Sequence, residues 1–546
     1  SMTANYRPLG WLSARGDVGL DYINRLDTQI CRFGECPNNG DNRLGFKRDN
    51  RTNFYTYTTN GSATGTRQLT DVLHSSTTVG VQFTRSIFDG NTASGTQLSP
   101  GATTVSSGAV KTAGETTSET RTLGGFVEEQ MALRDRLFVT AGVRSDRNSA
   151  FGANFKTVFY PKVAVSWVAS DESFFPKYGW LDQLRLRTAY GASGVQPGTI
   201  DAVPYYSAST TRNESGDLPA LVFNALGNAN LKPERSTELE LGVDGTFWNS
   251  RLSTEITYYN KSSKDALISR GLPPSIGTGA TSRLENLGEV SNKGWEALIT
   301  AQLVQRDAFG WDIGFNGSTN VNEIVSLGGL PSFGGSTQQQ REGYPLNGWW
   351  AKTLSAYDDA NGDGIITLNE ISVSDTATYI GAPLPKYELS FNNGFDFWQR
   401  RVRVGAMIDY KGGFKSYNNT ERIRCASRLN CSGLINPGSS LFEQARTVMV
   451  RESTSRSTGG FIEDGDFIRL RELNLTFTAP EQWAARYLHG RSISATLDAR
   501  NLGILWTKYS GVDPEAFGAT GTGSASSEFQ AFAPPSYYAV RLSLGF

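Results

Sequence analysis

The sequence predicts an all-β fold, a transmembrane antiparallel β-barrel, and three observations carry that expectation. Apolar and polar residues alternate with period two along almost the whole chain, which is the signature of strands with two unlike faces. No apolar run approaches the 18 residues that a spanning helix needs, and the mean hydropathy is −0.36. Short turns alternate with long Gly/Ser/Thr/Asn-rich connections, the arrangement of barrels that cross a bilayer with their strands. Length alone, 546 residues, suggests two to four soluble domains. The balance of 52 Lys+Arg against 53 Asp+Glu argues against a nucleic-acid binder driven by bulk charge.

Taken in order, about sixteen strands are expected, near 10–25, 45–59, 74–90, 118–133, 137–149, 156–169, 182–194, 235–247, 251–264, 293–305, 310–325, 385–397, 401–412, 465–478, 491–503 and 536–546. In the fifth, Leu137, Val139, Ala141 and Val143 share a face. In the eighth, Leu239, Leu241, Val243 and Phe247 oppose Glu238, Glu240 and Asp244. Leu252, Ile256 and Tyr258 continue the pattern in the ninth, as do Val402, Val404, Ala406, Ile408 and Tyr410 in the thirteenth. Ile493, Ala495, Leu497 and Ala499 repeat it near the end, and Tyr538, Val540, Leu542, Leu544 and Phe546 close the chain. Short turns fall at Arg134–Arg136, Trp248–Ser250, Gln305–Gly310 and Trp398–Arg400. Long connections fall at 91–117, 195–234, 265–292, 326–384, 413–464 and 504–535. Phe247, Trp248, Trp311, Phe397 and Trp398 cluster beside the short turns, as an interfacial girdle would. The opposite faces carry Arg185, Arg187, Glu238, Glu240, Asp244, Arg403, Asp409, Asp498, Arg500 and Arg541, which suits a hydrated lumen or pairing that stiffens the wall. A propeller would repeat every 40–50 residues and sandwich domains would need linkers; neither is seen.

Several segments together resemble one family. They are LKPERSTE (231–238) with the strand pair that follows, NLGEVSNKGWEALI (286–299), GAPLPKYELSFNNGFDF (381–397), EDGDFIRLRELNLTFTAP (463–480), ARNLGILWTKYSGVDPEAFG (499–518) and the closing PPSYYAVRLSLGF. In this order they are similar to SusC/RagA-type TonB-dependent transporters over essentially the whole chain. The resemblance implies a 22-stranded barrel of the Gram-negative outer membrane with an N-terminal plug. It implies import of oligosaccharides or peptides with energy passed through the TonB complex. It also implies a SusD-like lipoprotein over the extracellular mouth and assembly as a dimer of heterodimers. No plug, TonB-box-like segment or signal peptide is recognised, so residues 1–546 are expected to be the C-terminal part of the barrel, with plug and first strands upstream. A truncated barrel serving as a structural or adhesive scaffold is the competing reading.

Asp359-Ala360-Asn361-Gly362-Asp363-Gly364 and the six residues that follow match a twelve-residue EF-hand loop. Asp359, Asn361, Asp363, Thr367 and Glu370 would offer side-chain oxygens and Ile365 its carbonyl, a hard donor set that suits Ca2+; the family commonly carries a similar stretch. The competing reading is an acidic surface loop without metal. Cys31–Cys36 and Cys425–Cys431 read as two local disulfides of an exported protein, against a metal site for which no nearby His exists. Gln339, Tyr344, Trp349, Trp350 and Tyr357 are candidate ligand or lid contacts, since rings stack on sugars or peptide groups and amides direct hydrogen bonds. Self-packing of the long loops would select the same residues. Only His74 and His489 are present. With no nucleophile elbow or metal-protease motif, no enzyme is expected. The segment Glu481–His489 reads as a short amphipathic helix anchored by Trp483 and Tyr487.

Overall fold

The computed structural model describes residues 1–36, 43–154, 157–213, 216–276, 281–454, 456–516 and 527–545. Phe546, read above as the terminal aromatic, and the 517–518 end of one motif lie outside them. Eighteen of the described strands are long wall strands or their continuations. The count exceeds sixteen for two reasons. Met2–Leu9 is a strand of its own, and the segment 310–325 divides into Phe309–Thr319 and Val321–Ser326. No helix among the described residues is long and apolar enough to cross a membrane.

The chain falls into two compact units. In the first, the strands Met2–Leu9, Leu12–Cys31, Phe46–Thr70, Leu73–Leu98, Gly108–Leu133 and Leu137–Asn148 form an antiparallel meander, each paired with the next. The strands are longer than period-two reading indicated: Leu73–Leu98 and Gly108–Leu133 run 26 residues each. Most of the expected loop at 91–117 is therefore strand, and Cys31 ends a strand instead of lying within a loop. A separate hairpin, Tyr205–Asn213 with Gly216–Ala225, occupies part of the expected loop at 195–234.

In the second unit Ser282–Gln305 pairs with Phe309–Thr319, and the ladder continues through Tyr387–Phe397, Val402–Gly412, Phe467–Thr478, Ser492–Thr507 and Tyr537–Gly545. Its tight turns hold consecutive non-glycine residues in the left-handed region, Trp248, Asn249 and Ser250 at φ 54, 56 and 60° and Trp398, Gln399 and Arg400 at φ 50, 54 and 60°. Each such residue costs about 1–2 kcal/mol relative to its ordinary conformation. Backbone bonds from Arg251 to Trp248 and from Arg401 to Trp398 close the two turns.

Burial on the wall strands is inverted relative to a soluble sheet. Leu239, Leu241 and Val243 are 38%, 48% and 46% exposed, while Glu238, Glu240 and Asp244 on the alternate face are partly covered. An apolar face left outward over many strands is stable only against hydrocarbon. Rings gather at the short-turn end, where Trp180 stacks on Phe247 at 5.9 Å, Trp311 on Phe395 at 6.0 Å and Trp398 on Phe477 at 6.2 Å.

The long connections of the second unit fold into a packed cluster. The helix Leu441–Arg451 starts where Ser440 Oγ accepts the amide of Glu443 at 3.2 Å. It buries Ala445, Val448, Met449 and Val450. Trp349, Ala351, Tyr417, Cys425, Cys431, Val450, Phe461 and Ile462 form one core, and Ile366 packs with Ala445 and Val448 in another.

Candidate functional site

Strand register fixes which side chains share the polar face. Glu296, Ser318, Glu388 and Lys411 stand in one cross-strand row, and Leu298, Asn316, Ser390, Asp409 and Arg469 in the next. These rows border a cavity of about 470 Å³ that Glu255 also lines. A second cavity of about 570 Å³, toward the short turns, is lined by Arg251, Asp312, Asp396, Arg400 and Arg403 among others. The wall therefore presents charged hollows on the face opposite to the apolar one.

The charges of this face neutralise one another. Arg185 and Arg187 both donate to Asp244, at 2.7 and 2.8 Å. Arg403 reaches Asp396 at 2.9 Å and Asp312 at 2.8 Å. Arg471 holds Asp409 through Nε at 3.0 Å, and Arg500 stands 3.2 Å from Glu472 and 2.6 Å from Asp498. The Arg403 guanidinium lies flat over Gly394, where a Cβ would meet its Nη2 at 2.2 Å. Arg187 crosses Gly242 in the same way, with its Cζ 2.9 Å from the position of an added Cβ. A small residue beneath each guanidinium lets it reach a carboxylate across the strand.

A denser network ties the segment after Ser492–Thr507 to the wall. Arg469, 2% exposed, donates to Asn501 Oδ1 at 2.6 Å and to Asp513 Oδ1 at 2.6 Å. Glu515 accepts from Arg471 at 3.0 Å and lies 3.3 Å from Lys411. Burial raises the Glu515 carboxyl, but Arg471, Lys411 and Arg469 outweigh it and hold the group below its ordinary range. Tyr509, donating to the buried Glu528 at 2.8 Å, is pushed up by its burial and by that carboxylate. None of these residues except Asp409 stood out in the sequence. The signal was the dense charge of the segments 469–472 and 513–515, which period two assigns to the lumen without naming partners.

The expected loop residues separate on inspection. Trp349 and Trp350 are 1% and 4% exposed. Trp349 Nε1 donates to the Lys415 carbonyl at 3.0 Å, and Arg341 lies 3.8 Å over the Trp350 ring. Both rings are packed inside the loop cluster. Tyr344 remains 37% exposed, edge-on to Trp350 at 4.7 Å, and Tyr357 is 42% exposed beside Phe442. Gln339 accepts from Arg341 at 2.7 Å.

The segment from Asp359 to Glu370 has the turn geometry of its motif, with Gly362 and Gly364 at φ 73 and 79°. Asp359 accepts the amides of Asp363 and Gly364 at 3.1 and 2.8 Å, Asn361 that of Asp363 at 3.0 Å, and Asp363 that of Ile365 at 2.8 Å. Glu370 is turned to the backbone, accepting from Thr367 N at 2.9 Å, Thr367 Oγ1 at 2.8 Å and Ala360 N at 3.1 Å. The donor set suits Ca2+ in chemistry, but Asp359, Asp363 and Glu370 are not gathered within 4.8 Å of one another. Among the described residues the only such group is Glu421, Cys425 and Cys431, whose two sulfurs face each other. The Sγ atoms of Cys31 and Cys36 lie 1.98 Å apart and those of Cys425 and Cys431 2.21 Å. His489 ends the helix Glu481–Leu488 in the left-handed region, φ 53°, with Trp483 and Tyr487 exposed.

An outward apolar face, an inward face of paired charges, short ring-bordered turns and a folded loop cluster define a β-barrel protein of the outer membrane. Residues 3–441 match the family model "TonB dependent receptor-like, beta-barrel". The chain belongs to that family. It is 27% identical over 460 residues to TonB-dependent receptor P26 of Formosa agariphila, covering 76% of this chain and 44% of the relative. It is 24% identical over 418 residues to TonB-dependent receptor SusC of Bacteroides thetaiotaomicron, covering 70% and 40%. The chain thus spans less than half the length of these relatives. In fold it is similar to the RagAB peptide transporter structure, with a TM-score of 0.82 at 20% identity over 100% of this chain and 61% of the other. The ferric citrate transporter FecA in its unliganded form gives 0.52 at 12% identity, covering 100% and 60%.

Proposed function

We propose that this chain is the barrel part of a SusC-type importer that carries oligomeric nutrients across the outer membrane. The observation that carries the proposal is the inverted wall, apolar outward and lined inward by hollows of paired charge. Such a wall does no covalent chemistry and serves passage; no catalytic role is assigned to it. Energy enters from TonB through an N-terminal plug, and a SusD-like lipoprotein closes the extracellular mouth over the loop cluster, two such pairs forming a dimer of heterodimers. Peptides are what the structurally similar RagAB transporter carries, which supports peptide oligomers as cargo, with glycan oligomers as the alternative class. Deleting the whole gene and measuring growth on defined oligosaccharides and on peptides tests the reading. Loss of growth on one class supports import. Unchanged growth on both, where the undeleted parent displays the loop cluster at its cell surface, favours a scaffold.

We propose further that Asp359, Asn361, Asp363, Ile365, Thr367 and Glu370 take Ca2+, with Glu370 leaving the amides it now accepts. The same reading makes the two cysteine pairs structural disulfides of the exported protein.

A further inference from the structure

Four connections of the second unit lie at one end of the wall: 248–251, 306–308, 398–401 and 479–491. Register shows the shared end, since Phe309 pairs with Phe397, Val402 with Phe477 and Ser492 with Gly545, and the amide of Gln302 donates to Arg251 O at 2.7 Å. These connections carry Arg251, Arg306, Arg400, Arg401, Arg486 and Arg491 against two carboxylates, Asp307 and Glu481; Arg251 and Arg400 line the inward cavity described above, which leaves Arg306, Arg401, Arg486 and Arg491 for the rim. All six except Arg401 are exposed. None is in an ion pair among the described residues, whereas Arg185, Arg187, Arg403, Arg469, Arg471 and Arg500 on the wall all are. Arg401 and Arg486 instead lie over the Trp398 and Tyr487 rings, at 5.5 and 5.8 Å. The unpaired cations sit beside the ring ladder of Phe247, Trp248, Phe309, Phe397, Trp398 and Trp483.

We propose that a collar of Arg306, Arg401, Arg486 and Arg491 binds the phosphate groups of anionic glycerophospholipids in the leaflet at the short-turn end. The inference rests on the membrane orientation of the wall, not on what the channel carries. Aromatic rings mark the boundary between hydrocarbon and headgroups. Guanidinium groups one turn beyond that boundary stand at phosphate depth, where their planar fork donates to two phosphate oxygens at once. A cation with no carboxylate partner, placed there, has phosphate as its natural counter-ion. The exposed rings of Trp483 and Tyr487 continue the same surface along the helix Glu481–Leu488.

The test uses the full-length transporter in a neutral detergent, with phosphatidylglycerol or phosphatidylcholine added and retained lipid counted by native mass spectrometry. The parent protein is expected to retain phosphatidylglycerol preferentially, and less of it at high salt. Each arginine near an anionic surface contributes about fivefold in affinity. The variant R306Q/R401Q/R486Q/R491Q should therefore lose more than tenfold, while R428Q/R456Q, on the long connections, should match the parent. Heat-modifiable migration on gels establishes that each variant is folded; should the quadruple variant fail to fold, the parent's salt dependence decides. Equal retention of the two lipids by the parent, retention insensitive to salt, or a folded collar variant within twofold of the parent would each overturn the proposal. Unchanged lipid retention with loss of a copurifying acidic protein would assign the collar to a protein partner instead.

Discussion

Replacing Asp513 by alanine should release the segment 508–516 from the wall without unfolding the barrel. Arg469 is 2% exposed and Asp513 5%, and the pair is buttressed by Asn501 at 2.6 Å and by Glu515, 3.4 Å from Arg469 Nε. Removing one member of a buried pair leaves an uncompensated charge and costs about 3–5 kcal/mol. Glu515 and Asn501 still face the guanidinium in Asp513→Ala, so the lower figure applies. At about 1.4 kcal/mol per tenfold, 3 kcal/mol speeds local opening roughly 150-fold. Amide hydrogen exchange on the full-length protein in detergent reads this directly, since amides from Lys508 to Ala516 should accelerate while those of Val402–Gly412 do not. The double variant R469M/D513L removes both charges and fills the space with apolar groups, so it should recover most of the protection. Exchange in Asp513→Ala within threefold of the parent would refute the reasoning, because the ion pair would then contribute nothing to docking. A double variant exchanging as fast as the single one would show that packing, not the stranded charge, holds the segment.

Three further outcomes are expected. Gly394→Ala should displace the Arg403 guanidinium from Asp312 and Asp396 and lower stability by about 1–3 kcal/mol, as overpacking does, whereas Asn393→Ala, one residue along on the other face, should do far less; thermal melts in detergent compare them. Glu370 is held below its ordinary value of 4.5 by the amide and hydroxyl of Thr367. A depressed folded value means that the order it confers is present above the unfolded pKa and lost as pH falls through the folded one. Exchange at Ala360 and Thr367 should therefore rise on acidification below the ordinary value, and E370Q should flatten that response and abolish terbium luminescence from the loop. Removing the Cys425–Cys431 link as C425A/C431A opens a ring of six-residue separation, for which loop entropy gives about 2 kcal/mol. Both residues are 0% exposed, so limited proteolysis should cut the loop cluster sooner while leaving the wall strands intact.

The wall was legible in the sequence because a strand facing lipid on one side and water on the other must alternate, and Leu239 to Phe247 or Val402 to Tyr410 do so without interruption. Where both faces meet water that constraint disappears. Residues 91–98 and 108–117 are Gly-, Ser- and Thr-rich and read as a loop, yet their backbones continue the ladder of the strands below. The loop cluster was hidden for another reason. Its core comes from sequence-distant pieces, Trp349 packing near Tyr417 and Phe461, so that local composition records polar connections and not the contacts that bury them. The helix Leu441–Arg451 did leave a signal, Ser440 three residues before Glu443 ahead of apolar positions at 445, 448 and 449. Rings at 349 and 350 read as candidate binding residues because ligand stacking and core packing select the same chemistry, so that residue type alone does not separate the two.

The arginines make the same point about environment over residue type. On the wall, a guanidinium shares a confined hollow with other charges, so Arg403 is laid over Gly394 and held by two carboxylates, and Arg187 over Gly242 and held by one. At the short turns the chain makes the opposite choice, leaving Arg306 and Arg491 exposed and without an ion pair among the described residues. Placing aspartate or glutamate there would be sterically easy, since the turns are open, and the backbone already bears left-handed residues at Ser250 and Arg400 to keep its tight course. Unpaired cations at that depth are stable if the counter-charge comes from outside the chain. On this argument an acid introduced within reach, such as Gln399→Glu, should weaken the hold on phosphatidylglycerol as removal of Arg401 does, by about fivefold, while leaving the melting temperature unchanged. Retention equal to the parent in Q399E would mean that the arginines there are simply solvated.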